Sequence, residues 1–218
     1  SSAREVMYYL NFGDITPDHY TVVLCDPPWP YKDKMGYRGF GLQTAYTTMS
    51  LDAIKALPVK DIAVKDALLL LWVTNANLPM GLDVMKAWGF TFKTVAFLWV
   101  KKTRHWKNAI NLGRWTMGST EMCLLGTKGH PQRVCRNVQQ LVEAVRKKHS
   151  EKPEEVRQRI TTLMGEGSHI ELFARGSVEG WDQWGNEPED VAQREMALPA
   201  LPLVGEGTHL EGVLTVQA

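Results

Sequence analysis

The 218-residue chain is 44% hydrophobic and 22% charged, which is enough for one α/β domain with a substantial core and too short for a second complete domain. Its 25 basic and 24 acidic side chains give a formal net charge of +1, so any basic surface must be local. The three cysteines lack the spacing of metal ligands, so we expect free thiols in a reducing compartment and no metal site. No apolar run approaches the roughly 18 residues that a membrane span needs, which predicts a soluble, intracellular protein without a membrane partner.

The first well-defined element is an apolar, β-branched strand at residues 21–25, which ends at Asp26, Pro27, Pro28 and Trp29. Each proline fixes φ and removes an amide donor, so the strand continues into a rigid turn. An aspartate in such a turn often only caps it. A carboxylate, a carbonyl and a ring together also suit the exocyclic amino group of a nucleobase. Asp26 and the Pro27 carbonyl would accept its hydrogens, which frees the nitrogen lone pair to attack a methyl group while Trp29 stacks on the base.

The Asp-Pro-Pro-Trp sequence resembles the signature of the adenine amino-methyltransferases, in the branch that includes the catalytic subunit of the eukaryotic messenger-RNA adenosine methyltransferase and many phage and bacterial relatives. The resemblance extends from about residue 14 to residue 186. It implies a three-layer α/β, Rossmann-like class I methyltransferase fold with a mostly parallel sheet, in a permuted order that puts the catalytic motif before the cofactor-binding strand. S-adenosylmethionine would be the cofactor. The implied catalytic residues are Asp26, Pro27, Pro28, Trp29 and Tyr46.

A glycine-rich stretch at residues 30–45 follows the motif and combines basic and aromatic side chains. This composition suits a mobile flap that closes over a base and its phosphates, and a disordered surface loop is the alternative. The substrate-binding candidates in it are Tyr31, Lys32 and Arg38. The resemblance places Tyr46 in a segment that lines the active site.

The next segments alternate between helix and strand patterns. Ser50 is a plausible N-cap and Pro58 a stop, while Asn77 and Gly89 bracket a second helix. The predicted elements are a helix at 51–57, a strand at 67–73, a helix at 77–88, and strands at 91–100 and 119–127. This succession predicts a mostly parallel sheet with one antiparallel edge strand and with ligands at the carboxyl ends of its strands.

Residues 101–117 form a second loop rich in basic and aromatic side chains and without an acid. Basic side chains neutralise phosphates and rings stack on bases or open a duplex, whereas a merely solvated loop does not explain two tryptophans. The substrate-binding candidates here are Lys101, Lys102, Arg104, Trp106, Arg114 and Trp115. A second basic stretch at 132–148 is either a further phosphate contact or in part a solvated helix face, and Glu121 is either a supporting carboxylate or a strand-edge residue.

The cofactor side follows from the same resemblance. Lys152, at the start of a helix that Ser150 would cap and whose first turn would contain Pro153, approaches the carboxylate of S-adenosylmethionine. A strand at 168–175 resembles the family's Ile-Glu-Leu-Phe-x-Arg, which supplies walls and a ribose or carboxylate contact. Asp14 and Ile15 would hold the adenine, although a polar loop explains them equally well, and Asn186 and Glu187 would bind the ribose. The full set of cofactor candidates is Asp14, Ile15, Asp26, Lys152, Glu171, Leu172, Phe173, Arg175, Asn186 and Glu187.

The methyltransferase domain is predicted to span residues 1–187, and the acidic tail at 188–218 is either flexible or packed on a partner. The resemblance implies methyl transfer to the exocyclic amino group of adenine, and a compact chain favours DNA as the nucleic-acid partner. The same reaction on RNA adenosine and a non-catalytic nucleic-acid-binding subunit of a methyltransferase complex are the alternatives. Homo- and hetero-oligomers are both compatible with the sequence, and a bacterial or phage origin would place the protein in the cytoplasm.

Overall fold

The computed structural model describes residues 5–30, 48–147, 151–176 and 178–185, and the backbone of 213–216. The strands are β1 (Val6–Tyr9), β2 (Tyr20–Cys25), β3 (Ala63–Val73), β4 (Thr91–Lys102), β5 (Thr120–Lys128), β6 (Leu141–Val145), β7 (His169–Leu172), β8 (Trp181–Trp184) and β9 (Val213–Val216). The helices are α1 (Leu51–Ala56), α2 (Val59–Ile62), α3 (Leu78–Ala87) and α4 (Glu154–Met164). The candidates that lie outside the described residues are Tyr31, Lys32, Arg38, Tyr46, Asn186 and Glu187.

The described strands form one nine-stranded sheet in the order β6-β4-β5-β3-β2-β7-β8-β1-β9. β2 pairs in parallel with β3 on one side and with β7 on the other, and β8 and β1 continue the parallel arrangement. β5 is antiparallel to β3 and β4, and β9 is antiparallel to β1 at one edge. The predicted mostly parallel sheet is confirmed. The prediction of a single antiparallel strand at an edge is wrong, because β5 runs antiparallel inside the sheet, where the connection from β4 reverses the chain.

The carboxyl ends of the parallel strands meet at one edge of the sheet. β2, which leads into Asp26, precedes β7 in the chain although the two strands are neighbours, so the permuted order is confirmed. β1, β2, β3, β4, β7 and β8 end at this edge, and the antiparallel β5 begins there. We call it the carboxyl edge. In open α/β sheets ligands bind at this place.

Helices pack on both faces of the sheet, which gives three layers. Leu71 of β3 faces the side of α1 to α3, where it shares an apolar cluster with Val84. Leu70, the neighbouring residue, faces the other side, where it shares a second cluster with Ile160 of α4. Successive strand residues therefore point to opposite faces, and burying each such side chain contributes about 1.5–3 kcal/mol.

Most of the local predictions agree with the structure, with small shifts at the ends of elements. Ser50 caps α1, because its Oγ accepts a hydrogen bond from the Ala53 amide at 3.1 Å. Asn77 precedes α3 but its side chain makes no cap bond. Pro153 occupies the N-cap position of α4 rather than its first turn. The predicted strand at 168–175 ends at Leu172, because the next residue adopts a left-handed φ of 58°.

Other elements differ from the predictions. For residues 132–148 the sequence left open a phosphate contact or in part a solvated helix face. The described part, up to residue 147, forms coil and the edge strand β6, of which Val142 is the buried residue, so the helix alternative is wrong there. β1, β8 and β9 are strands that the sequence analysis does not predict. Within the described residues, no helix is both long and apolar enough to cross a membrane.

Candidate active site

Hydrogen bonds fix the turn that follows β2. The Trp29 amide donates to the Pro27 carbonyl at 2.9 Å, and the Met49 amide donates to the Pro28 carbonyl at 3.0 Å. The indole Nε1 of Trp29 donates to the carbonyl of Trp72 near the end of β3, also at 2.9 Å. The motif is thus tied to the neighbouring strand and to the chain that enters α1, which keeps it rigid.

The groups of the motif are unequally accessible. Trp29 is 9% exposed and belongs to the apolar core, so its ring is mostly covered and base stacking stays a prediction for it. The Pro27 carbonyl uses one of its two lone pairs on the Trp29 amide, which leaves an acceptor position for a substrate hydrogen. Asp26 is half-buried at the carboxyl edge. Its carboxylate and the Pro27 carbonyl are therefore the acceptors that the turn offers.

Charged side chains of alternating sign continue from Asp26 across the sheet. Lys152 Nζ lies 3.1 Å from Asp26 Oδ2 and 2.9 Å from Glu121 Oε1. Lys101 Nζ lies 3.0 Å from the other Glu121 oxygen, Oε2. We call Asp26, Lys152, Glu121 and Lys101 the charge row. It crosses from β2 to β4 at the carboxyl edge and joins two candidates of different predicted roles.

Indole rings lie against the charge row. Lys152 Nζ is 5.6 Å from the ring centroid of Trp72, and Lys101 Nζ is 5.1 Å from that of Trp99. The two indoles contact each other edge to face, with centroids 6.3 Å apart. Cations are attracted to such faces, so each indole adds a favourable contact to one ammonium group.

Burial and neighbouring charges set the protonation of the row. Burial raises the pKa of Asp26, Lys152 opposes this, Glu121 adds to it, Arg175 opposes it, and the net direction is upward. Burial acts to lower the pKa of Lys152, but the carboxylates of Asp26 and Glu121 outweigh burial and the net direction is again upward. Lys152 therefore remains a cation, while Asp26 takes up a proton more readily than an exposed aspartate.

An aromatic cluster lies at the ends of β7, β8 and β1. The Phe173 and Trp184 ring centroids are 4.8 Å apart, and Phe12 contacts Trp184 at 5.1 Å. Ile15 is buried in the same core region, whereas Asp14 is exposed and accepts a hydrogen bond from the Asn11 side chain at 3.3 Å. The cluster provides an apolar surface at the carboxyl edge, and Phe173 and Ile15 belong to the predicted cofactor residues.

Glu171 already has a strong partner. Its two oxygens accept from Nε and Nη2 of Arg157 at 2.6 and 2.8 Å, and both side chains are largely buried. Burial raises the pKa of Glu171, and Arg157 opposes this through its hydrogen bonds and charge. The next residue, Leu172, is fully buried in the core. Glu171 and Leu172 therefore have clear structural roles. Their roles in cofactor binding stay predictions.

The loop between β4 and β5, residues 103–119, exposes apolar and basic side chains together. Trp115 is 94% exposed and Trp106 is 57% exposed. Arg104 and Arg114 are exposed on the same loop, and Arg104 Nε donates to His105 Nε2 at 3.0 Å. Aromatic rings exposed among cations form a surface suited to bases and phosphates.

The loop also adjoins the second basic stretch. The Arg146 amide donates to the Lys102 carbonyl at 2.9 Å, and its Nη1 donates to Asn111 Oδ1 at 3.1 Å. Lys102 itself forms an ion pair with Glu143 at 3.0 Å and lies 5.8 Å from the Trp106 ring. We call residues 102–117 with Arg146 and Lys147 the basic loop surface. The two basic stretches of the sequence thus form one surface beside the charge row.

Comparisons with known proteins are consistent with this geometry. The family model MT-A70 matches residues 20–187. The chain belongs to the MT-A70 family. It is 36% identical over 197 residues to the type II methyltransferase M.MunI of Mycoplasma sp, and the match covers 82% of each chain. It is 32% identical to an N(6)-adenosine-methyltransferase MT-A70-like protein of Arabidopsis thaliana and 28% identical to the N(6)-adenosine-methyltransferase catalytic subunit METTL3 of Homo sapiens, in each case over 178 residues and 79% of this chain. These matches cover 24% and 29% of the two relatives, respectively.

MT-A70 membership identifies the chain as an S-adenosylmethionine-dependent methyltransferase of adenine in nucleic acid. The carboxyl edge fits this cofactor in its chemistry. Lys152 and Arg175 are cations beside Asp26 that suit a carboxylate, and the ring of Phe173 with its aromatic neighbours suits an adenine. Among the residues that the structure describes, Lys152, Arg175 and Phe173 are therefore of the types that the cofactor needs and lie at this edge.

The sequence analysis located part of this MT-A70 site and missed part of it. The structure brings Asp26, Lys152 and Arg175 together, as the resemblance implies. Glu121, which the sequence left open between two roles, is 3% exposed and bridges two lysines. Its position two residues before the buried Cys123 on β5 was the available signal, because alternate strand residues share a face.

Proposed function

We propose that the chain transfers a methyl group from S-adenosylmethionine to N6 of adenine in DNA. The observation that carries this proposal is the ion pair of Asp26 with Lys152 in a rigid turn at the carboxyl edge. The choice of DNA follows the sequence-based expectation for a compact chain, and the chain matches the type II methyltransferase M.MunI of Mycoplasma sp over most of both lengths. An enzyme of bacterial or phage DNA would act in the cytoplasm.

The geometry suggests how Asp26 acts. In adenine the lone pair of the amino nitrogen is delocalised into the ring, so the nitrogen is a poor nucleophile. Asp26 and the Pro27 carbonyl accept its two hydrogens, which favours a pyramidal nitrogen with its lone pair directed at the methyl group. When bound, the cofactor supplies that electrophilic methyl. The amino nitrogen would gain the methyl carbon while the cofactor's sulfonium sulfur keeps the electron pair of the broken sulfur–carbon bond, and the nitrogen would then lose one proton, to Asp26 or to water.

Lys152 supports the same step. Its ammonium lies between Asp26 and Glu121, so it favours the ionised form of the catalytic carboxylate against the effect of burial and orients it, while contributing positive charge for the cofactor's carboxylate. Tyr46 in the active site and the ribose contacts of Asn186 and Glu187 are part of the proposal from the resemblance. Tyr31, Lys32 and Arg38 are its proposed flap residues.

We assign nucleic-acid binding to the basic loop surface. It carries exposed indoles, and its cations lie on two segments that the backbone holds together. Duplex DNA requires that the target base leave the stack, which costs a few kcal/mol of unstacking, and an exposed indole can stabilise the distorted strand. The surface therefore suits a substrate whose bases are opened.

RNA adenosine is the second candidate substrate, because the relatives in Arabidopsis thaliana and Homo sapiens are named as adenosine methyltransferases. A non-catalytic binding subunit is a weaker alternative, since such a subunit has no need of a carboxylate buried against a lysine at the carboxyl edge. The sequence is compatible with both a homo-oligomer and a hetero-oligomer, and this stays a prediction.

Transfer of a radiolabelled methyl group from the cofactor tests the proposal. The full chain is incubated with unmethylated duplex DNA, single-stranded DNA and adenine-containing RNA in separate reactions, with Asp26→Asn as the matched control. We expect label in DNA, located on N6 of adenine, and none with the variant. Label in RNA alone would overturn the DNA assignment. Cofactor binding without transfer to any pool would overturn the catalytic assignment in favour of a binding subunit.

A further inference from the structure

We propose that Lys101 is a positioning residue of the methyl transfer, which acts through Glu121 on Lys152 and Asp26, rather than a contact to substrate phosphate. The proposal rests on the catalytic role of Asp26 stated above. It replaces the substrate role that the sequence pattern suggests for Lys101, a residue at the start of a basic loop.

The surroundings of Lys101 carry this assignment. Its side chain is 16% exposed and its Nζ lies 3.0 Å from Glu121 Oε2, whose own side chain is 5% exposed. The Lys101 amide donates to the Ser119 carbonyl at 2.8 Å, and its carbonyl accepts from the Ala109 amide at the same distance. The backbone is thereby fixed on both sides. The side chain is directed along the sheet toward the site and has little access to a bound polymer.

Lys107 in the same loop is different. It is exposed, and no ion pair with a described carboxylate involves it. A cation of this kind is free to release counterions when a phosphate approaches, whereas Lys101 would first have to leave a buried carboxylate. The loop therefore contains cations of two kinds, and Lys107 is the matched control for Lys101.

The charge balance of the row explains why Lys101 matters at a distance. The row contains two carboxylates and two ammonium groups, which alternate, so its net charge is zero. Without Lys101 the two carboxylates share Lys152 alone, and Glu121 Oε2 lies in a buried place without a cation. A buried, uncompensated carboxylate is costly, and uptake of a proton relieves the cost. Because Glu121 raises the pKa of Asp26, loss of the compensating Lys101 is expected to make Asp26 take up a proton more readily.

The groups that face Asp26 define the expected direction. They are Lys152 before α4, Glu121 on β5, Arg175 after β7, Glu171 on β7, and the thiols Cys25 and Cys123. Burial raises the pKa of both thiols, so they stay neutral and the row is left with the charged groups. Glu121 raises the pKa of Asp26. Freeing Glu121 from Lys101 therefore promotes protonation of Asp26, and neutralising Glu121 has the opposite effect.

The test is the pH profile of kcat for Lys101→Met, Lys101→Arg and Glu121→Gln. We expect the acid limb to move to higher pH in Lys101→Met, to stay in place in Lys101→Arg, and to move to lower pH in Glu121→Gln. Each pH unit of movement changes kcat about tenfold on the acid side. A purely structural role would lower kcat without moving the acid limb. It would not produce opposite movements of the limb in Lys101→Met and Glu121→Gln.

Substrate affinity supplies the second readout. Lys101→Met should bind the nucleic acid that the wild type methylates within about twofold, with an unchanged salt slope, while Lys107→Met should lower the slope by about 0.9 if it loses one phosphate on duplex DNA. A lower slope in Lys101→Met with an unmoved acid limb would overturn the proposal in favour of a phosphate contact. If Lys101→Met does not fold, Lys101→Gln replaces it, with the same movement of the acid limb and the same unchanged salt slope expected. A wild type that transfers no methyl group contradicts the proposed function instead, so the two failures are distinguishable.

Discussion

At the scale of single residues, the protonation state of Asp26 affects activity and folding stability in opposite directions. Its pKa is raised chiefly by burial, so the folded protein holds a proton on Asp26 more tightly than the unfolded chain does. A raised folded pKa means that its contribution to stability is present at low pH and is lost as the pH rises through that value. Ionisation of Asp26, which the reaction needs, therefore lowers the free energy of unfolding.

Replacement of Asp26 by Asn separates the two properties. We expect Asp26→Asn to abolish methyl transfer and to bind S-adenosylmethionine within about tenfold of the wild type, a loss below ~1.4 kcal/mol. Its free energy of unfolding relative to the wild type should increase as the pH rises above about 4, the pKa of an aspartate in the unfolded chain, because the variant has no carboxylate to ionise. Denaturant titration at several pH values measures the difference. A variant that loses stability as the pH rises would contradict the inferred pKa shift.

At the scale of elements, a buried ion pair of near-ideal geometry helps to join α4 to the sheet. Arg157 on α4 donates twice to Glu171 on β7, and neither side chain is more than 13% exposed. Arg157→Met should destabilise the fold by about 3 kcal/mol, because it leaves a buried carboxylate without a partner. The double variant Arg157→Met, Glu171→Leu should recover much of that loss.

Lys147 provides the control for this prediction. It pairs with Glu151 in an exposed setting, with 56% and 49% of the two side chains accessible. Lys147→Met should therefore change the free energy of unfolding by less than ~0.5 kcal/mol. Equal losses in Arg157→Met and the double variant would show that Arg157 matters through its packing rather than through its charge.

The contact of α3 with the sheet depends on a residue without a side chain. A Cβ on Gly81 would overlap Cγ1 of Val73 and approach Cδ1 of Leu124 to 3.2 Å. Gly81→Ala should cost about 1–3 kcal/mol despite the better helix propensity of alanine, because the overlapped Val73 is stiff. Gly13→Ala, where no atom lies within 4 Å, is the control and should be near neutral in thermal unfolding.

The sequence predicted the elements whose formation depends on residues close together in the chain. The apolar runs of β2 to β5 and the Ser50 cap depend on neighbouring residues, and the structure agrees with them. β8 contains Asp182, which reads as polar but accepts from the Tyr20 hydroxyl at 2.6 Å and from the Met7 amide at 3.0 Å. These partners are 162 and 175 residues away, so no local pattern could indicate that this strand is buried.

The same distinction applies to the site. Asp26 and Lys152 lie in short motifs that a resemblance can identify. The connection between Glu121 and Lys101 depends on the register of β4 with β5, in which Trp99 lies opposite Glu121. Sequence alone gives Lys101 the same character as its basic neighbours. Only the pairing of the two strands shows that its side chain reaches a buried carboxylate.

At the scale of the whole molecule, the net charge of +1 means that the basic loop surface is a local feature. The basic loop surface lies at the carboxyl end of β4, and Phe92 and Lys93 are exposed near the other end of the same strand. Counting from Lys93 to Lys102, the two ends are roughly 30 Å apart at the rise of a β-strand. Phe92 and Lys93, an aromatic and a basic residue far from the basic loop surface on the same strand, therefore serve as controls for it.

Replacement of Trp115 tests directly whether the basic loop surface binds nucleic acid. Because it is 94% exposed, Trp115→Ala should change the free energy of unfolding by less than ~0.5 kcal/mol, while loss of a base stack should weaken nucleic-acid binding by about 1–3 kcal/mol. Phe92→Ala, at the far end of β4, should leave affinity unchanged. The measurement is the dissociation constant for DNA at two salt concentrations, since stacking changes affinity with little change in the salt slope. Equal affinities for the Trp115 variant and the wild type would remove this loop from the substrate site and leave the flap to bind the polymer.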